Sequence, residues 1–146
     1  MDIVIREIEE KDYSAVKALL FNELWENKIN DNNVVPFFNK VRNDENYQTF
    51  VALLNNNVVG FISTVTTIWA AFESADMLVE GFAVKNEYQG KGIGTKLLKH
   101  TENYAKRNGI FSVGLCSGFQ RTSAHAFYEH NGYIKGSYAF HKNLTQ

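Results

Sequence analysis

The sequence predicts an α/β protein with a single domain, residues 1–146, built on one mixed, mostly antiparallel sheet with flanking helices. Three observations carry this expectation. Two β-rich runs joined by Asn55-Asn56-Asn57 read as an antiparallel hairpin, because asparagine tolerates the left-handed backbone of a tight turn. Later in the chain, strand-like and amphipathic helical runs alternate, as crossover connections require. No repeat, linker or low-complexity stretch divides the 146 residues, a length that supports one core without disulfide or metal.

The elements follow in order. Ile3 and Ile5 alternate within residues 2–8 as a first strand. Val16, Leu19, Leu20 and Leu24 recur at helical spacing, giving a helix from Asp12 to Trp25. A polar, asparagine-rich stretch, Asn27 to Val35, leads to Pro36, which is placed to begin a short helix through Phe37, Phe38 and Val41. Thr49–Leu54 and Val58–Ile68 form the hairpin. A loop over Ala70–Ala75 leads to a strand over 77–85. The next helix carries Ile93, Leu97, Leu98, Thr101 and Ala105 on one face and stops at Asn108-Gly109. Phe111, Val113 and Leu115 alternate as a strand. Thr122 or Ser123 caps a helix holding Ala124, Phe127 and Tyr128, which ends at Asn131-Gly132. Tyr133 to Leu144 alternates loosely as a last strand, interrupted at Gly136. The order is β-α-α-β-β-β-α-β-α-β.

Composition narrows the function. No apolar run approaches the ~20 residues of a membrane span, and the N-terminus lacks the basic region and apolar core of a signal peptide. The single cysteine, Cys116, excludes an internal disulfide and suits a reducing, cytoplasmic setting. A formal charge of −1 gives no electrostatic reason to expect nucleic acid or an acidic membrane as partner. His100, His125, His130 and His141 contain no i, i+4 pair, so no metal site is expected.

The most informative stretch is Gln89-Gly90-Lys91-Gly92-Ile93-Gly94-Thr95, between the apolar run Leu78–Val84 and the helix that opens at Lys96-Leu97-Leu98. Alternate glycines allow positive φ and close approach to a ligand. The helix behind them offers unpaired N–H groups and a positive dipole end, which suits phosphate oxygens. No Gly-Lys-Ser/Thr closes the loop as in a P-loop, and the third glycine falls too early for the dinucleotide fingerprint.

Through Gln89, Gly92 and Gly94 the loop resembles the Gln/Arg-x-x-Gly-x-Gly/Ala signature of the GNAT N-acetyltransferases. The run Ala124-His125-Ala126-Phe127-Tyr128-Glu129-His130-Asn131-Gly132-Tyr133 is similar to that family's Ala-x-x-Phe-Tyr-x-x-x-Gly-Phe/Tyr segment. The resemblance implies acetyl-coenzyme A as co-substrate. It implies that Gln89 to Thr95, including Gly90, Lys91 and Ile93, hold the pyrophosphate, and that Phe82, Ala83 and Val84 lie on a splayed strand beside the pantetheine arm. Arg121 stands where many members carry an asparagine, and it can reach a phosphate instead. Similar proteins are often homodimers; the sequence leaves the oligomeric state open.

Acetyl transfer to an amine sets two chemical demands. An amine with a pKa of ~10.4 must lose its proton, and a leaving thiolate, with a thiol pKa of ~8.5, gains from a proton donor. The resemblance assigns the donor role to Tyr128. Glu80 interrupts the apolar run Met77-Leu78-Val79-Glu80-Gly81-Phe82, where a carboxylate is expensive to bury without a reason. It is the second catalytic candidate: the resemblance implies an acidic residue here that acts as the base or binds the acceptor amine, and the alternative is an edge residue reaching solvent. Gly81 beside it suggests a bulge or a close approach. The resemblance places Trp25, Trp69 and Phe72 in or next to the segments that shape the acceptor pocket, and core or dimer surface are the alternatives. The expected activity is direct acetylation of a small-molecule primary amine. The alternatives are a protein lysine or N-terminal acetyltransferase and a non-catalytic coenzyme A-binding sensor.

Overall fold

The hairpin asparagines set the centre of the sheet. In the computed structural model, which describes residues 1–25, 31–70 and 75–145, β2 (Tyr47–Leu54) and β3 (Asn57–Ile68) pair antiparallel, with Leu54 opposite Asn57. Asn55 and Asn56 make the two-residue turn with φ of 51° and 63°, the left-handed pair that a tight hairpin needs. β1 (Ile3–Glu7) flanks β2, and β4 (Ala75–Val84) flanks β3, both antiparallel. β5 (Ile110–Leu115) adds to β4 in parallel, giving the order β1-β2-β3-β4-β5. The expected mixed, mostly antiparallel single sheet is therefore present.

Helices cover both faces. α1 (Tyr13–Leu19) and α2 (Val34–Val41) pack on one face, where Val16, Leu19 and Phe38 meet Val51, Phe61 and Ala83. α3 (Ile93–Arg107) packs on the other, burying Ile93, Leu97 and Leu98 against Phe50, Val59 and Ile62. α4 (Thr122–His130) lies on that same side, with Phe127 and Tyr128 against the cluster. Each of these large apolar side chains contributes about 1.5–3 kcal/mol through burial. Thr101, fully buried on α3, satisfies its hydroxyl by donating to the Leu97 carbonyl at 2.9 Å.

Several expected boundaries shift for physical reasons. The first helix changes after Leu19 into a wider π-type winding over Leu20–Trp25, which keeps both Leu20 and Leu24 against the α1–α2 core. α2 begins at Val34, not Pro36; the proline occupies its first turn, where an N–H has no intrahelical partner to lose. Arg121, not Thr122 or Ser123, caps α4, and Thr122 is already helical. Residues 27–30 and Phe72 lie outside the described residues.

The last expected strand does not form. From Tyr133 to Thr145 the chain runs without helix, strand or turn. Ile134, Tyr138, Phe140 and Leu144 are all more than four-fifths exposed. Alternation records a one-sided strand, but a strand also needs a neighbour to receive its main-chain hydrogen bonds, and the described residues of the protomer supply none there.

A buried ion pair ties β1 to the start of α1. Asp12, almost fully buried, accepts two hydrogen bonds from the Arg6 guanidinium, at 2.7 and 3.1 Å, and a third from the Glu9 N–H at 2.8 Å. Burial alone would raise its pKa, but these donors outweigh it and hold the carboxyl below the usual aspartate value. Asp12→Asn should therefore cost about 1–3 kcal/mol of stability in urea denaturation. The wild-type contribution is complete above the ordinary aspartate pKa of about 3.9 and is lost as pH falls through the lowered folded-state value. The difference between the two proteins should accordingly narrow in acid.

Candidate active site

The site begins where β4 leaves β5. Their parallel pairing runs from Ala75–Ile110 to Val79–Leu115 and stops, while β4 continues to Val84 paired, among the described strands, with β3 alone. The edge of residues 80–84 that faces away from β3 therefore has no strand partner among the described residues. At the same point the β3–β4 register slips, with Ser63 opposite Gly81 but Thr64 opposite Val79. Glu80 is the extra residue, so the bulge suggested by Gly81 is present. A bulge reverses the faces of the residues beyond it. Val79 and Phe82, three residues apart, both pack on the α3 side.

Glu80 and Gly81 face the other way, into a cleft of about 410 Å³ formed with Leu20, Val34, Phe37 and Phe38. Gly81 is needed there, because a Cβ would stand 3.1 Å from the Phe61 ring. Glu80 keeps one side open to solvent, yet burial pushes its carboxyl above the ordinary carboxylate range. Ser63, beside Gly81, shares a hydrogen bond of 2.8 Å with Thr49. A second hollow, about 260 Å³ between α2 and β2, contains none of the candidate catalytic residues.

The glycines of the loop divide into two kinds. Gly90 and Gly92 have φ of +73° and +79°, with open space where a Cβ would stand, so their backbone conformation demands glycine. Gly92 is the capping residue of α3, whose first turn receives no side-chain cap. Gly94 has an ordinary φ and is glycine for another reason: a Cβ would lie 3.1 Å from the Phe127 ring and 3.5 Å from that of Phe82. The close approach at Gly94 is thus made by rings of its own chain. Gln89 donates from Nε2 to the Val84 carbonyl at 2.9 Å, bracing the loop against the end of β4. The Lys91 ammonium sits 5.3 Å from the Tyr88 ring centroid. Thr95 lies in the first turn of α3, one residue past Gly94.

α4 completes the arrangement. Phe82 reaches Phe127 at 5.9 Å and Tyr128 at 6.4 Å between ring centroids. Phe82, Gly94, Phe127 and Tyr128 thus form one contact group on the α3 side, with Glu80 across the splayed strand. Burial pushes the Tyr128 hydroxyl above tyrosine's ordinary value, and the charge of Arg121 pulls partly the other way. The phenol therefore holds its proton at neutral pH and lies within electrostatic reach of Arg121. Ala83 turns its side chain into the α1–α2 core, leaving only its main chain to a ligand. Sequence reasoning assigned no role to His125, whose Nε2 donates to the Gly118 carbonyl at 2.8 Å and ties the turn after β5 to α4. Its signal was the Ala-His pair beside Phe127. Cys116 is an exposed residue just past β5.

The residues present fit a coenzyme A thioester. Gly90 and Gly92 leave open space at the positive end of a helix, where phosphate oxygens are favoured. Past β5, the Ser117 hydroxyl is buried without a hydrogen-bond partner among the described residues, a polar atom that a ligand can satisfy.

Comparison with known proteins gives the family. The sequence model of the acetyltransferase (GNAT) family matches residues 5–133. The chain belongs to the GNAT N-acetyltransferases. It is 28% identical over 132 residues to the aminoalkylphosphonate N-acetyltransferase of Salmonella typhimurium, covering 90% of this chain and 82% of that one. A solved aminoglycoside acetyltransferase from an uncultured soil metagenomic sample superposes on this GNAT chain with a TM-score of 0.83 at 25% identity, covering 98% of this chain and 97% of the other. A structure described as a transcriptional regulator from Bacillus halodurans shares the fold with a TM-score of 0.91 at 23% identity, over 98% and 100% of the two chains. Among the described residues of this GNAT domain, no helix is long and apolar enough to cross a membrane. No three potential metal ligands stand together among those residues.

Gly92→Ala should lower stability by about 1–2 kcal/mol in urea denaturation, the cost of a left-handed backbone for a residue with a Cβ. Lys91→Ala, in the same loop, should leave stability unchanged.

Proposed function

We propose that this protein transfers an acetyl group from acetyl-coenzyme A directly to the primary amine of a small molecule with an apolar body. The observation that carries this reading is the splayed end of β4, which separates Glu80 and an apolar cleft on one face from Tyr128 and the glycine loop on the other. Two reactants entering from opposite sides meet at such an edge, and holding them there converts an encounter into a near-unimolecular step.

Acetyl-coenzyme A supplies the activated acetyl group as a thioester. The loop from Gln89 to Thr95 and the Arg121 guanidinium bind its phosphates, and the free edge of Phe82, Ala83 and Val84 receives the pantetheine arm. A main-chain N–H on that edge polarises the acetyl carbonyl as oxyanion-type donors do. Glu80 binds the acceptor ammonium and takes its proton, directly or through water, as the amine nitrogen bonds to the acetyl carbon. Tyr128 gives its proton to the sulfur as the carbon–sulfur bond breaks, and burial keeps that proton in place until then.

The acceptor class follows from the cleft. Its volume of about 410 Å³ is that of a small-molecule site. Its described lining is mainly Leu20, Val34, Phe37, Phe38 and Phe61, with Glu80 as the charged group. That lining favours one ammonium on an apolar body over the phosphonate or polycationic acceptors named for the relatives. A reducing, cytoplasmic setting suits the single cysteine, and neither nucleic acid nor a metal enters the scheme.

The decisive experiment is thiol release from acetyl-coenzyme A across a panel of arylalkyl and alkyl amines, polyamines, aminoglycosides, aminoalkylphosphonates and lysine peptides. Release with the apolar monoamines supports the assignment. Release with peptides alone replaces it by a protein acetyltransferase, and binding without release by a coenzyme A sensor. Tyr128→Phe should lower kcat by about 10²–10⁴-fold while leaving the Kd for coenzyme A nearly unchanged; equal rates in the two proteins would remove Tyr128 from the chemistry.

Glu80→Gln tests the base through pH. The wild-type rate should rise as pH climbs through the raised carboxyl pKa, because the carboxylate is the working form. The variant must wait for free amine, so its deficit should be largest near neutral pH and shrink towards an amine pKa of ~10.4. A deficit independent of pH would reduce Glu80 to a binding group.

A further inference from the structure

Among the described residues, Asp12, Ser63, Thr64 and Thr101 are the buried polar side chains. Three of them spend their hydrogen bonds on the fold itself. Asp12 takes the Arg6 guanidinium, Thr64 donates to the Gln48 carbonyl at 3.2 Å, and Thr101 donates to the Leu97 carbonyl at 2.9 Å. Ser63 is different. Its Oγ shares a single hydrogen bond of 2.8 Å with the Thr49 Oγ1, and either hydroxyl can be the donor. Two hydroxyls carry two protons, and the bond between them uses one. The pair therefore keeps an uncommitted proton and unused lone pairs.

Ser63 is 8% exposed and lines the cleft that holds Glu80. The sheet sets it beside that carboxylate: Ser63 pairs with Gly81, and Glu80 is the next residue along β4. Cross-strand neighbours stand about 4.5–5.5 Å apart, and Gly81 has no side chain to cover the serine. The rest of the lining is apolar, except for Asn33, which is exposed at the rim where water can serve it.

We propose that Ser63 selects the acceptor by binding a hydroxyl carried next to the amine, so that the preferred class is a vicinal amino alcohol with an apolar body. This rests on the small-amine reading of the same cleft and narrows it. A ligand hydroxyl both donates and accepts, so it completes the pair whichever way the Thr49–Ser63 bond runs. A ketone or ether oxygen only accepts, and a carboxylate would be repelled by Glu80 beside it. Once the apolar body fills the cleft, water cannot stand in for the missing partner. An amine without the hydroxyl then leaves the buried pair incomplete, and the site discriminates against it.

The test compares kcat/KM for phenylethanolamine, phenethylamine and α-aminoacetophenone, which share a ring and an amine and differ in the oxygen. Phenylethanolamine should be favoured over phenethylamine by about ten-fold, with the ketone no better than phenethylamine. Ser63→Ala should remove most of that preference by slowing the amino alcohol far more than the plain amine. Thr49→Val, which leaves the Ser63 hydroxyl in place, should keep it. Equal kcat/KM for the first two amines in the wild type, a preference for the ketone, or a preference that survives Ser63→Ala would each overturn the proposal. Two failures are told apart by the plain amine. If phenethylamine and phenylethanolamine are acetylated equally, the role of Ser63 falls and the small-amine reading stands. If coenzyme A binds and neither amine is acetylated, both fall. The wild-type comparison decides the matter even if Ser63→Ala does not fold.

Discussion

The parting of β4 from β5 after Val79 and Leu115 is the constraint on which the rest depends. A parallel pair held together to its end would bury the edge of residues 80–84 in hydrogen bonds and leave a ligand no main chain to meet. The bulge at Glu80 works with the parting. It inserts one residue opposite β3, so Glu80 faces the α1–α2 cleft while Phe82 faces α3 and α4. Gly81 permits this only because the Phe61 ring can press to within 3.1 Å of where a Cβ would stand. One local irregularity thus places an acid and an aromatic group on opposite sides of the same strand.

The second wall of the site uses glycine in two different ways. At Gly90 and Gly92 the backbone takes left-handed angles in open space, so the residue type is set by conformation. At Gly94 it is set by the neighbours Phe127 and Phe82. The close approach lets α4 settle against the start of α3, bringing Tyr128 into the ring cluster that contains Phe82. Gln89 links loop and strand through the Val84 carbonyl. The loop, β4 and α4 are therefore one mechanical unit, and burial that raises the Tyr128 pKa follows from the same packing.

Most of the architecture was legible because its signals are local. The Asn55-Asn56 turn, the apolar faces of α1 and α3, and the asparagine and glycine that end α3 and α4 depend on residues within a few positions of one another. Glu80 stood out for a similar reason, a carboxylate amid apolar neighbours. Boundaries were less legible where a nearby core overrode local preference. The widened winding after Leu19 and the earlier start of α2 both follow from which side chains reach the cluster around Phe38. The separate purpose of Gly94 could not be read from the chain, since its reason lies 33 residues away in Phe127.

The sequence by itself determined the element order up to α4, the hairpin turn, the family motifs and the residue types available for chemistry. These rest on periodicity, backbone preference and composition, all carried by neighbouring residues. Only the tertiary structure decided where β4 and β5 part, after Val79 and Leu115, that Glu80 and Tyr128 lie on opposite sides of that gap, and that residues 134–145 pair with no described strand of the sheet. Each is a matter of which distant strand or ring occupies the adjoining space. Alternation marked Tyr133–Leu144 as a strand because its large apolar residues fall on one face, but pairing requires a partner edge, which no local pattern supplies.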